Sequence, residues 1–104
     1  MIKAEFKVTD GKTVGFTVSG HAGFAESGND IVCAGVSSAV MLTVNAITES
    51  LKIKADCADL GNEIQFELCE KSDVASSLLD ALKSHLEILS KEFSGTITIE
   101  NMEV

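Results

Sequence analysis

The chain has 104 residues, 45% hydrophobic and 23% charged, with no proline, tryptophan or tyrosine. One domain of this length, spanning residues 1–104, can bury roughly 65% of the surface its unfolded chain exposes, enough for a core without covalent staples. Eight basic against sixteen acidic residues give a net charge of -8. With no basic patch and no tyrosine or tryptophan platforms, direct nucleic-acid binding is excluded as an expectation.

Cys33, Cys57 and Cys69 lack C-x-x-C spacing and are odd in number, so neither a zinc ribbon nor a disulfide framework fits, and reduced intracellular thiols are expected. The alternating charged and apolar residues of Met1 to Lys7 do not make a signal peptide. A cytoplasmic location follows as the expectation.

Ile2, Ala4, Phe6 and Val8 alternate with polar residues, Asp10-Gly11 follows, and Val14, Phe16 and Val18 alternate again, which predicts a hairpin. Residues 20–30 carry three glycines, Ser27 and Asn29, and read as a loop longer than the usual connection of about 4 to 6 residues. From Asn29 or Asp30, either able to cap, a helix runs to about Leu51. Its 18-residue uncharged stretch, Ile31 to Thr48, approaches membrane-spanning length. Gly35, Ser37, Ser38, Thr43 and Asn45 interrupt it, so it is read as a buried helix of a soluble protein, covered on more than one flank, with no membrane partner.

Residues 53–59 and 63–70 flank Leu60-Gly61-Asn62 and predict a second hairpin, with Cys57 in the core by its parity with Ile53 and Ala55, and Cys69 facing out. Ser72 or Asp73 caps a second helix whose Leu79, Leu82, Leu86, Leu89 and Phe93 form one apolar stripe, closed by Gly95. A last strand starts at Thr96. The order ββαββαβ predicts an α+β two-layer domain, a mainly antiparallel five-stranded sheet with both helices on one face.

His21 and Cys33 flank the glycine-bearing loop. A thiol in the first turn of a helix meets unpaired N–H groups and the positive end of the macrodipole, both favouring the thiolate, and a nearby imidazole would add to this. The same N–H groups could receive an oxyanion. Cysteine is also among the most buried residue types, so Cys33 between Val32 and Ala34 fits core packing as well, and a lone histidine after a strand fits a surface or capping role. Asp30 reads as helix N-cap, as an orienting carboxylate for His21, or as both. Ser37 shares a face with Cys33 and could donate into a site or simply pack. His85 lies on a solvated flank of the second helix. The scattered acidic residues predict no metal site, and no cofactor pattern is present.

Gly20-His21-Ala22, followed by Gly28-Asn29-Asp30-Ile31-Val32-Cys33-Ala34-Gly35-Val36-Ser37, resembles the ribosomal-processing cysteine proteases of bacteria. The resemblance covers essentially the whole chain. It implies His21 as general base, Cys33 as nucleophile, and Gly20, Asp30 and Ser37 as supporting positions. It further implies removal of an N-terminal extension from a large-subunit ribosomal protein precursor, cut after an aromatic residue, by a homodimeric enzyme. Within that reading Ala22 to Asn29 would be a lid hinged at Gly23 and Gly28, with Phe24 and Glu26 facing an aromatic or basic substrate residue, a position in which Phe24 fits equally as a packing anchor. The family block commonly has alanine where Gly35 stands here, at a cost of roughly 1 kcal/mol in a helix interior. Two other classes fit less of the pattern: a non-catalytic module binding a basic ribosomal tail, and a thiol redox protein needing Cys57 or Cys69 as resolving thiol.

Overall fold

The computed structural model describes residues 1–20 and 31–104. Strand β1 (Ile2–Thr9) turns through Asp10 and Gly11, at φ +52° and +75°, into β2 (Lys12–Ser19), as an Asp-Gly pair between alternating runs demands. Helix α1 (Ile31–Asn45) continues as a π-helical turn over Ala46–Ser50 before β3 (Ala55–Asp59), β4 (Glu63–Leu68), α2 (Asp73–Glu92) and β5 (Ile97–Glu103). The strands form one mixed sheet in the order β3-β4-β2-β1-β5, antiparallel except for the parallel pair β1 and β5. The expected α+β architecture and ββαββαβ order are both present.

One row of side chains crosses the sheet. Phe6 pairs with Phe16, and Phe16 with Phe66, in direct register. Their rings lie 6.2 Å apart, tilted, and 5.3 Å apart, stacked, respectively. Val32, Val36, Val40, Val44 and Ile47 of the first helix, with Leu79, Leu82 and Leu86 of α2, belong to the same buried cluster. The register shift between Lys7 and Val8 puts Thr13, rather than the expected Val14, inward. There its hydroxyl donates to Asp80 Oδ1 of α2 at 2.5 Å. Of the two candidate caps of α2, Ser72 performs the role: its Oγ accepts from Ala75 N–H at 3.1 Å, while Asp73 adds negative charge to the first turn.

Two expectations are corrected. Cys57 has the core parity, opposite Phe66, yet it is exposed, because β3 is the edge strand and four of its five residues lie in the open. Among the described residues, helix α1 is covered on its sheet side and approached by Leu89 of α2 at Gly35, but its outer side is open, leaving Ile31, Met41 and Leu42 exposed at 59%, 46% and 72%. A two-layer fold has no third layer to cover the outer side of a helix. Cys69 and His85 are exposed, as their positions in the pattern imply.

Gly35 lies inside α1, where an added Cβ would meet only the Leu89 side chain at 3.7 Å, an ordinary contact. Gly35→Ala is therefore expected to stabilise the protein by about 0.5–1 kcal/mol, a rise in Tm of roughly 2–8 °C in a scanning calorimeter. A fall in Tm would show that the first helix needs the space.

Candidate active site

Cys33 occupies the first turn of α1, half-buried and packed against the core cluster. It opens into a cleft of about 140 Å³. Val18 and Ile64, neighbours in the β2/β4 register, and Ile2 and Val36 give the cleft an apolar floor. Ser19 and Gly20 at the end of β2, Ser37 one helical turn beyond the thiol, and the turn Gly61-Asn62-Glu63 form its rim. The tertiary structure thus brings Gly20, Cys33 and Ser37 to one place. His21, Asp30 and the four lid positions Gly23, Phe24, Glu26 and Gly28 lie outside the described residues.

Gly20 holds a conformation that only glycine adopts readily, at φ +86°. A Cβ there would stand 2.5 Å from the carbonyl oxygen of Met1, so the chain leaves β2 pressed against the N-terminus. On its other side the Gly20 N–H donates to the Asn62 carbonyl at 3.2 Å. The strand end that leads to position 21 is held by two backbone neighbours.

The floor residues and the Gly61-Asn62-Glu63 rim were missed by sequence reasoning. Ile64 carries a visible signal in its alternation with Phe66 and Leu68, but the alternation gives a face and not a neighbour. Only the pairing of β2 with β4 places that turn beside the first turn of α1.

The two other thiols differ from a reactive cysteine. Cys57 is pushed above the ordinary thiol value by partial burial and then by the Asp59 carboxylate. Cys69 moves the same way, through local desolvation first and then the carboxylate of Asp56. Thiols shifted upward stay protonated at neutral pH and make poor nucleophiles, which weighs against either as a resolving thiol. Among the described residues no group of three or more His, Cys, Asp or Glu could hold a metal ion.

An amide hydrolase built on a cysteine needs a thiol in an accessible cleft, donors for the oxyanion and a base. Cys33 meets the first of these. Comparison with known proteins agrees. The family described as Cysteine protease Prp matches residues 1–98. The ribosomal processing cysteine protease Prp of Bacillus subtilis (strain 168) is 30% identical over 107 residues, covering 95% of this chain and 96% of that protein. The Staphylococcus aureus (strain Mu50 / ATCC 700699) protein of the same name is 30% identical over 103 residues, covering 95% and 97%. Among solved structures, an essential ribosomal processing protease Prp from S. aureus with a covalently linked product peptide superposes with a TM-score of 0.90 at 29% identity, covering 98% of this chain and 100% of that one. SMU.848 from Streptococcus mutans superposes at 0.84 with 26% identity, covering 100% and 96%. The chain belongs to the Prp family of cysteine proteases.

Proposed function

We propose that this protease removes the short N-terminal extension of a bacterial large-subunit ribosomal protein, cutting after an aromatic residue, with Cys33 as nucleophile and His21 as acid and base. The observation that carries the reading is the position of Cys33 at the helix start, open to a cleft with an apolar floor. The relatives support it: both curated proteins are named for ribosomal processing, and a further S. aureus structure holds a substrate peptide. Gly20 and Ser37 border the thiol and have supporting roles in this reading, with Asp30 as the cap or orienting carboxylate.

In the reaction, His21 takes the Cys33 proton, and the thiolate Sγ attacks the scissile carbonyl carbon. The carbonyl π electrons move to oxygen, and N–H groups of the helix start stabilise that oxyanion. Collapse of the tetrahedral intermediate breaks the C–N bond, and the imidazolium returns its proton to the leaving amine. Water, deprotonated by the same imidazole, then cleaves the thioester and restores the thiol.

A net charge of -8 attracts a strongly basic ribosomal protein at long range and is repelled by assembled ribosomal RNA. The preferred substrate is therefore the free precursor in the cytoplasm. At low ionic strength, the free precursor should be cut at least about tenfold faster than the same extension on assembled large subunits, as followed by intact mass. Equal rates would defeat this preference.

The active species in this reading is a homodimer. The exposed side of α1 supports it: Ile31, Met41 and Leu42 stand on a helix without a single charge between residues 31 and 48, in a chain otherwise strongly acidic. Beside it, Ala39, Leu42, Ala46, Leu78 and Ala81 line an apolar groove between the two helices. Two acidic copies can meet there without opposing like charges. Leu42→Glu should weaken the dimer by at least about tenfold in sedimentation equilibrium, since it places a charge in a desolvated contact. An unchanged dimer constant would move the interface elsewhere.

A further inference from the structure

Beyond the residues already assigned, the turn between β3 and β4 lies against the site without an obvious task. Its conformation is built from three hydrogen bonds. Asp59 Oδ1 accepts from Gly61 N–H at 2.9 Å, Leu60 N–H donates to the Glu63 carbonyl at 2.8 Å, and the Asn62 carbonyl accepts from Gly20 N–H at 3.2 Å. The first two fold the turn that carries Asn62, and the third ties its carbonyl to Gly20, one step beyond the Ser19 and Glu63 pair of β2 and β4. On its other side a side chain at Gly20 would meet the Met1 carbonyl, so the position accepts only glycine there. Gly61, Asn62 and Glu63 meanwhile form the rim of the Cys33 cleft.

We infer that Asp59 is a positioning residue of the protease: through Gly61 and Asn62 it fixes the backbone of Gly20, and so the strand end that leads into position 21. This rests on the reading of His21 as acid and base, because His21 follows Gly20 directly. Asp59 itself touches no reacting atom. It stands exposed on an edge strand, bonded to the backbone two residues on, so its loss removes no core contact.

The test compares Asp59→Ala with Asp59→Asn, which keeps a side-chain oxygen for the Gly61 N–H. Three quantities are measured: amide exchange at Gly20, kcat and KM for a precursor peptide, and the pH profile of Cys33 alkylation by iodoacetamide, resolved from Cys57 and Cys69 by peptide mass. In Asp59→Ala, Gly20 exchange should quicken about tenfold and kcat fall about tenfold, the loss of one hydrogen bond's constraint, with KM within about twofold. Its alkylation profile should move toward that of His21→Ala. Asp59→Asn should recover at least half of the native kcat. Native exchange at Gly20 in a folded Asp59→Ala overturns the inference. So does a native kcat, or an asparagine variant as impaired as the alanine one, which would assign the effect to charge. If His21→Ala itself leaves the Cys33 profile unchanged, the acid and base assignment fails, whereas the exchange and kcat results still decide the role of Asp59.

Discussion

Cys33→Ala is expected to release no N-terminal peptide from the extended ribosomal precursor, a loss of at least about 10³-fold, while remaining folded. Removing the sulfur eliminates the only group in the cleft able to form a thioester, and neither Cys57 nor Cys69 can replace it, since both lie outside the cleft and both thiols are pushed upward. Cys33 is half-buried, so the change in unfolding free energy should stay within about 1 kcal/mol. Cys33→Ser should also be inactive, because a hydroxyl ionises far less readily than a thiol. Intact mass of the products and a urea unfolding curve settle both points. Cleavage by Cys33→Ala at the native rate would remove the nucleophile assignment. An uncut precursor that still co-purifies with the native protein would instead favour a module that binds a basic tail without cutting it.

Phe16→Ala is expected to produce the largest loss of stability, about 3–5 kcal/mol, a large fraction of the 5–15 kcal/mol that holds a typical domain together. Phe16 is fully buried between Phe6 and Phe66, and it joins β1 and β4 across β2. The residual cavity would sit two residues from Val18, on the same strand that forms the floor of the cleft. Urea unfolding should show a lower midpoint at an unchanged slope. Cleavage by the surviving folded fraction should weaken as well, because Phe16 belongs to the same buried cluster as Ile2, Val18 and Val36, which line the cleft. A cost below about 1 kcal/mol would mean that the sheet repacks around the missing ring.

Much of the fold is legible in one dimension because it rests on local physics. Alternation with a period of two specifies strands, and an Asp-Gly pair can adopt the positive φ values that a tight turn requires. The leucine stripe of α2, from Leu79 to Leu86, has a single apolar side and is buried along it. Where the pattern misleads, the cause is a neighbour that local sequence cannot name. Cys57 has the parity of a core residue, but an edge strand has no helix over it. Helix α1 is apolar nearly all round, which suggests enclosure, whereas the two-layer architecture leaves its outer side open.

The candidate site divides in the same way. The amino-acid order alone places a thiol in the first turn of a helix and a histidine at the end of a strand, on either side of a glycine-bearing loop, and helix N-termini act on a thiol through their own N–H groups whatever lies around them. The tertiary structure decides what faces that thiol. Ile2, Val18 and Ile64 come from three strands separated by up to 62 positions, and they meet because β1, β2 and β4 are adjacent in the sheet. The hold of Asn62 on Gly20 is likewise a bond between two backbones 42 residues apart. Backbone groups are the same at every position, so no residue type announces such a bond, and only the folded chain brings its donor and acceptor together.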